Sequence, residues 1–197
     1  PIEVFHTYSD VDEASTIARY LSNLHIREHM PYSDMAILYR TNPQSRSLEE
    51  EFRRRGIPYR IYGGMSFYQR KEIKDIIAYL RVVSNYSDDI SVERIINVPK
   101  RGIGAATVEK VKDYARAYGM DLYEALLDIE NIPGLSRAVN KIKGFTSLIE
   151  GYKTDEYKND IEKLTNAILN DTGYMGELVA ENTDEANGRI ENIEELF

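Results

Sequence analysis

The hydrophobic pattern of this chain changes once, at Gly63-Gly64, and that change constrains the fold more than any other feature. Before it, apolar residues alternate between strand and helix spacings. Ile2-Glu3-Val4-Phe5-His6-Thr7-Tyr8 suits a strand, and Ile17, Leu21 and Leu24 then share one helix face. Met35-Ala36-Ile37-Leu38-Tyr39 is a short apolar run of the kind a buried parallel strand shows. Asn42 as a cap and Pro43 at the opening position predict a helix through about Arg55, which Gly56-Ile57-Pro58 ends. Tyr59-Arg60-Ile61-Tyr62 alternates like another strand. Strand–helix–strand–helix–strand at these spacings predicts a parallel α/β unit over residues 1–63.

Residues 64–197 carry no further convincing strand. Ser66-x-x-Gln69 has the spacing of a capping box, and Ile73, Ile76, Ile77, Leu80 and Val83 follow as a continuous apolar stripe. Shorter helices are predicted near Ile90–Asn97, Thr107–Tyr118 and Asp121–Ile129. Longer ones are predicted near Leu135–Tyr152 and Tyr157–Asn170, with a last one from about Ala186. The expected fold class is α/β plus all-α: a small parallel unit, then a helical domain, joined at a two-glycine link that could act as a hinge.

Within the helical part, Asn97-Val98-Pro99-Lys100-Arg101-Gly102-Ile103-Gly104-Ala105-Ala106-Thr107 stands out. Pro99 stops one helix, two cations follow, and a Gly-x-Gly turn opens the next. Glycines one residue apart let the backbone turn tightly and approach another molecule without an intervening Cβ. The first N–H groups of the following helix are unpaired and carry the positive end of its dipole, a geometry that accepts phosphate. Lys100 and Arg101 add formal charge beside it, and both side chains are expected to be exposed. An ordinary turn between two helices explains the same residues, and on this segment alone both readings stand.

The distribution of charge matters more than its total, and a solvated face is the default reading of the acidic C-terminal third. The net charge is −8, yet residues 65–119 hold 10 Lys+Arg against 7 Asp+Glu, whereas residues 120–197 hold 7 against 17. The cations gather around the Gly-x-Gly segment, and acidic surface elsewhere would confine a polyanion to it. The absence of cysteine excludes thiol catalysis, disulfides and thiolate metal sites, and fits a cytoplasmic protein. His6, His25 and His29 have no spaced acidic partners, so no metal site is expected. No apolar run approaches the ~20 residues of a membrane span. Pro1 in place of Met predicts that the chain is a piece of something longer.

Three stretches, in this order and spacing, carry a family resemblance. They are Ile37-Leu38-Tyr39-Arg40-Thr41-Asn42-Pro43-Gln44-Ser45-Arg46-Ser47-Leu48-Glu49-Glu50, then Ile57 through Asp75 including Tyr62-Gly63-Gly64-Met65-Ser66-Phe67-Tyr68-Gln69-Arg70-Lys71-Glu72-Ile73-Lys74, then Asn97 through Gly104. Together they resemble the middle of superfamily 1 DNA helicases of the UvrD/PcrA/Rep type, and within it the PcrA branch; Arg189-Ile190-Glu191-Asn192-Ile193-Glu194-Glu195-Leu196 fits the same pattern. The resemblance covers essentially the whole chain.

It implies that residues 1–63 are an incomplete second RecA-like domain (2A) and that residues 64–197 are most of the helical domain (2B) inserted into it. It further implies that 2B grips duplex DNA through a helix-hairpin-helix-like element, here Gly102, Ile103 and Gly104 with Lys100, Arg101 and Thr107. Arg70, Lys71 and Lys74 resemble a second duplex-facing element. Arg40 and Asn42 fall in a loop that contacts single-stranded DNA in the family, and Gly63 and Gly64 lie at the hinge. The expected partner is a duplex/single-strand junction bound without regard to sequence, with protein partners possible through 2B and no membrane. Plainer readings remain beside these: Arg40 paired with Glu49 or Glu50, Asn42 as a helix cap, Lys71 and Lys74 on a solvated face, Phe67 and Tyr68 in a core.

The chain has no G-x-x-x-x-G-K-[ST] phosphate loop and no Asp-Glu pair ending an apolar strand. The segment is therefore expected to hold no cofactor and to hydrolyse no ATP. The resemblance implies ATP, Mg²⁺ and 3′-to-5′ translocation for the parent. Asp88-Asp89 reads as helix-capping or loop surface. The corresponding region of a helicase–nuclease subunit, or a protein-interaction domain without DNA contact, are the alternatives.

Overall fold

The computed structural model describes residues 2–62 and 66–196, apart from the side chain of Asn42. Gly63 and Gly64, the expected hinge, lie outside the described residues. The chain divides into two compact units. One holds the residues up to Arg70 together with Glu191–Leu196, and the other holds Lys71–Ile190.

In the first unit, helix α1 (Asp10–Arg27) begins where the Ser9 hydroxyl accepts the Asp12 N–H at 3.1 Å. Asp10, Asp12 and Glu13 fill its first turn, where carboxylates oppose the helix dipole favourably. Helix α2 (Ser45–Arg55) ends at Gly56, whose φ of 67° a side chain would resist. Ala18 of α1 packs with Phe52 and Ile57, and Ile17, Leu21 and Leu48 close around them. The expected Asn42 cap rests on a side chain outside the described residues; the backbone there makes a short 3₁₀ turn, Asn42–Gln44, in which the Gln44 carboxamide oxygen accepts the Arg40 and Thr41 N–H groups at 2.9 and 3.0 Å. Buried Glu49 accepts from the Phe67 N–H at 2.9 Å and from the hydroxyls of Ser45, Tyr59 and Ser66. The Ser66 hydroxyl is thus engaged on Glu49 rather than in the expected capping box.

The three strand-like segments do not form a sheet. Among the described residues no β-ladder exists, and residues 2–7, 35–39 and 57–61 run without regular secondary structure. A parallel strand is covered on both faces, whereas Ile2 and Leu38 are 95% and 96% exposed. The expectation of a parallel sheet within residues 1–63 is therefore corrected. Strand hydrogen bonds require a neighbour in register, and these segments do not supply one another with it.

The second unit is helical, as the lost strand pattern predicts. Its elements are α3 (Lys71–Ser84), α4 (Asp89–Ile95), α5 (Ala105–Tyr118), α6 (Leu122–Leu127), α7 (Val139–Gly151), α8 (Ile161–Asp171) and α9 (Tyr174–Glu181); α10 (Asp184–Glu194) begins here. Helix α9 has no counterpart in the sequence reading; Gly173, at φ 77°, separates it from α8. Tyr79, Val92, Ile95, Ile103, Val111, Leu126, Phe145 and Ile149 form one core. Each such side chain contributes roughly 1.5–3 kcal/mol on burial. Asp88 caps α4, accepting the Ser91 N–H at 3.1 Å, and Asp89 accepts the first N–H of α6, from Leu122 at 2.8 Å, while α6 has its own N-cap in Asp121. No helix among the described residues is long and apolar enough to cross a membrane.

One buried carboxylate ties three of these helices. Asp75 of α3 is 1% exposed and meets Lys71 at 2.9 Å, Arg94 of α4 at 2.8 Å and the Tyr174 hydroxyl of α9 at 2.9 Å. Removing a donor leaves a buried anion underpaired. Tyr174→Phe is expected to lower unfolding free energy by about 1–3 kcal/mol, read as a lower urea midpoint with an unchanged m-value.

Candidate nucleic-acid interface

Helix α4 ends at Ile95 and α5 begins at Ala105, and the nine residues between them form a closed hairpin. The Val98–Pro99 peptide is cis. The Asn97 carboxamide oxygen accepts two hairpin N–H groups, from Arg101 at 2.8 Å and Ile103 at 3.1 Å. Gly102 turns the chain at φ 70°, and the Ile103 side chain then drops into the core at 1% exposure. Gly104 caps α5 in an extended conformation (φ −80°, ψ 163°), and its carbonyl accepts from the Thr107 and Val108 N–H groups at 2.9 and 3.2 Å.

What remains outward is backbone. Among the described residues no acceptor meets the N–H groups of Gly102, Gly104, Ala105 or Ala106, and all four residues are exposed. The first turn of α5 carries no acidic side chain to occupy its own dipole. A Cβ built on Gly104 would meet nothing within 4 Å, so this stretch presents donors with little bulk over them. Three N–H groups at the start of a 14-residue helix and a fourth at the Gly102 turn, with cations beside them, can receive an oxyanion.

The two expected cations separate. Lys100 is exposed. Arg101 is half-buried, and its Nη1 donates to the carbonyls of Ile95, Val98 and Pro99 at 3.0, 3.1 and 3.3 Å while its Nη2 meets the Tyr79 hydroxyl at 2.6 Å. The expectation that the Arg101 head is solvent-facing is corrected: the end of α4 needs its donors. Burial pushes the Tyr79 phenol up to about 12, with Arg101 pulling the other way, so that phenol remains a donor to the Val98 carbonyl. A cation missing from the sequence reading stands at the turn. Exposed Lys141 of α7 donates to the Gly102 carbonyl at 3.1 Å. It lies 39 residues downstream, and no local pattern announces it.

The other expected residues lie apart from the hairpin. Thr107 is half-buried in the first turn of α5. Lys71 is exposed but ion-paired to Asp75, and Lys74 is half-buried on α3. Arg70 belongs to the first unit and is 7% exposed, with Nη1 on the Asn192 carboxamide oxygen at 2.5 Å and Nη2 on the Ser45 hydroxyl at 3.1 Å. That burial removes Arg70 from any surface the described residues offer. Phe67 is likewise core. Arg40 is exposed, and the partners proposed for it are engaged elsewhere: Glu49 as described, Glu50 with Arg46 at 3.1 Å. The side chain of Asn42 lies outside the described residues. No group of three or more His, Cys, Asp or Glu among them could hold a metal ion.

A family model described as the UvrD-like helicase C-terminal domain matches residues 1–197, and the chain belongs to that family. It is a segment of the UvrD/PcrA type within superfamily 1A. The ATP-dependent DNA helicase PcrA of Staphylococcus aureus (strain Mu50 / ATCC 700699) is 43% identical over 197 residues, which is 100% of this chain and 27% of that protein. The ATP-dependent DNA helicase PcrA of Bacillus subtilis (strain 168) is 43% identical over 196 residues, again 100% of this chain and 26% of that protein. The chain thus spans about a quarter of the length of the relatives it matches.

The two hairpin glycines differ in what they demand. A Cβ on Gly102 would sit 2.6 Å from Lys141 Nζ and would also occupy a left-handed conformation. Gly102→Ala is expected to cost about 1–2 kcal/mol in a urea titration. Gly104→Val, in an extended cap with open space above it, is expected to cost no more than about 1 kcal/mol.

Proposed function

We propose that this chain is the duplex-gripping segment of an ATP-dependent DNA helicase, with residues 1–63 contributing part of its second RecA-like domain and residues 64–197 most of its 2B domain. The observation that carries the reading is the row of unpaired N–H groups at Gly102 and Gly104–Ala106, flanked by Lys100 and Lys141. Backbone donors and point charges recognise phosphate rather than base edges, so binding is independent of sequence. Arg40 and Asn42 are the proposed single-strand contacts, and Gly63-Gly64 the proposed hinge. The 2B surface is the proposed site for protein partners. In the parent, ATP hydrolysis drives 3′-to-5′ movement along the single strand.

The extended segments of the first unit support a RecA-like origin. Met35, Ile37, Tyr39, Ile57 and Ile61 line a groove of about 720 Å³. Apolar strand-like runs that lack neighbours suit a sheet assembled from more chain than these 197 residues. ATP and Mg²⁺ do not fit the residues present: neither a phosphate loop nor a carboxylate pair at a strand end occurs in the sequence. The chain's own residues therefore bind and orient DNA, and the hydrolytic step is not theirs.

Two measurements test this. Purified chain with Mg²⁺, ATP and single-stranded DNA is expected to turn over no ATP above background, and DNA-stimulated turnover would overturn the assignment. Duplex or junction DNA is expected to bind at roughly 10⁻⁴–10⁻⁶ M, with about two to four counterions released. Lys100→Ala and Lys141→Ala should each lower the salt slope by about one. Gly104→Val should lose binding while folding normally, because its branched side chain stands where the phosphate would. If Lys100→Ala, Lys141→Ala and Gly104→Val all bind like the parent, the hairpin is only a turn between helices.

A further inference from the structure

Two polar side chains of the hairpin, those of Asn97 and Arg101, point into it rather than out. Asn97 Oδ1 takes the N–H groups of Arg101 and Ile103, residues on either side of Gly102. Arg101 closes the opposite end. Its guanidinium reaches the last carbonyl of α4, at Ile95, and the hairpin carbonyls of Val98 and Pro99, and it also meets Tyr79 of α3. The guanidinium carbon lies 5.4 Å from the Phe145 ring centroid of α7, so the head rests on the core. To reach a phosphate, Arg101 would have to leave all of these acceptors.

We infer that Asn97 and Arg101 are positioning residues that hold the Gly102–Ala106 backbone in its donor-presenting form, and that neither contacts DNA itself. The inference rests on the reading of the hairpin as a phosphate site and departs from it in the role of Arg101. Asn97 withdraws two N–H groups from solvent and thereby fixes which ones remain outward. Arg101 holds the end of α4, the side of the hairpin opposite α5, against α3. With both anchors in place the donors need no reordering when a phosphate arrives, which conserves affinity that a loose loop would lose. Arginine suits this task where lysine does not. Its planar fork reaches several acceptors at once, whereas an ammonium is a single point.

The test compares charge with shape, on the full 197-residue chain. Arg101→Met and Arg101→Lys are each expected to weaken duplex binding about tenfold while leaving the salt slope of the parent intact. Lys100→Met is expected to reduce that slope by about one. Amide hydrogen exchange supplies the second readout, with the Val111 amide in the core of α5 as internal reference. Asn97→Leu should expose the Arg101 and Ile103 amides relative to Val111, and Asn97→Asp, which keeps an acceptor in place, should preserve their protection. The inference is overturned if Arg101→Lys binds like the parent, if Arg101→Met lowers the slope by one, or if Asn97→Leu leaves both amides protected. Failure of the unaltered chain to bind any duplex would instead strike the phosphate reading, and the exchange data would still decide whether the anchors hold the hairpin.

Discussion

A helix that ends inside a protein leaves carbonyls that must find donors, and one guanidinium here joins the last carbonyl of α4 to those of the hairpin that follows it. Arg101 comes six residues after Ile95, folds back onto the carbonyls of Ile95, Val98 and Pro99, and is itself held by Tyr79. The rest of the hairpin depends on that closure. Because the α4 end is satisfied from within, the chain can turn at Gly102, bury Ile103 and begin α5 at once, without recruiting the N–H groups of Gly104, Ala105 and Ala106. An ordinary interhelical turn also satisfies its carbonyls; this one does so while leaving the donors of the next helix outward. That asymmetry is the physical basis for a phosphate site.

Electrostatics narrows where a polyanion can sit. The chain as a whole carries −8, and most of its cations outside the hairpin are paired: Lys71 with Asp75, Lys112 with Glu93 and Glu109, Lys143 with Glu130, Lys163 with Glu156. Apart from the one to buried Asp75, pairs of this kind lie at the surface and add little stability, on the order of 0–1 kcal/mol each, but they do cancel field. At the hairpin Lys141 is bonded to a carbonyl rather than a carboxylate, so its charge is not cancelled.

The first unit shows what secondary-structure reasoning can and cannot reach. Its two helices follow from local signals, the Ser9 cap of α1 and the Gly56 stop of α2. Its strand-like runs are equally clear as sequence, yet a strand is defined by its neighbour, and among the described residues those neighbours are absent. Propensity identified segments fit for a sheet. Pairing, which is not local, did not follow.

Much of the second unit was legible in the sequence, because helix boundaries are set by residues close to them: Asp88 opening α4, Pro99 following its end, Gly119 closing α5 at φ 66°. The Gly-x-Gly turn and the exposure of Lys100 were legible for the same reason. The roles of Arg101, Arg70 and Lys141 were not. Two neighbouring cations, Lys100 and Arg101, look alike in sequence, and only the placement of Tyr79 and the α4 carbonyls sends one inward. Arg70 reads as the start of a basic helix face, yet contacts with Ser45 and Asn192, residues 25 and 122 positions away, bury it. Lys141 reaches the hairpin because α7 packs beside it. The sequence by itself determined where helices start, stop and turn, since those signals act over a few residues; the tertiary structure decided which charges face outward, since that depends on what long-range packing brings against each one.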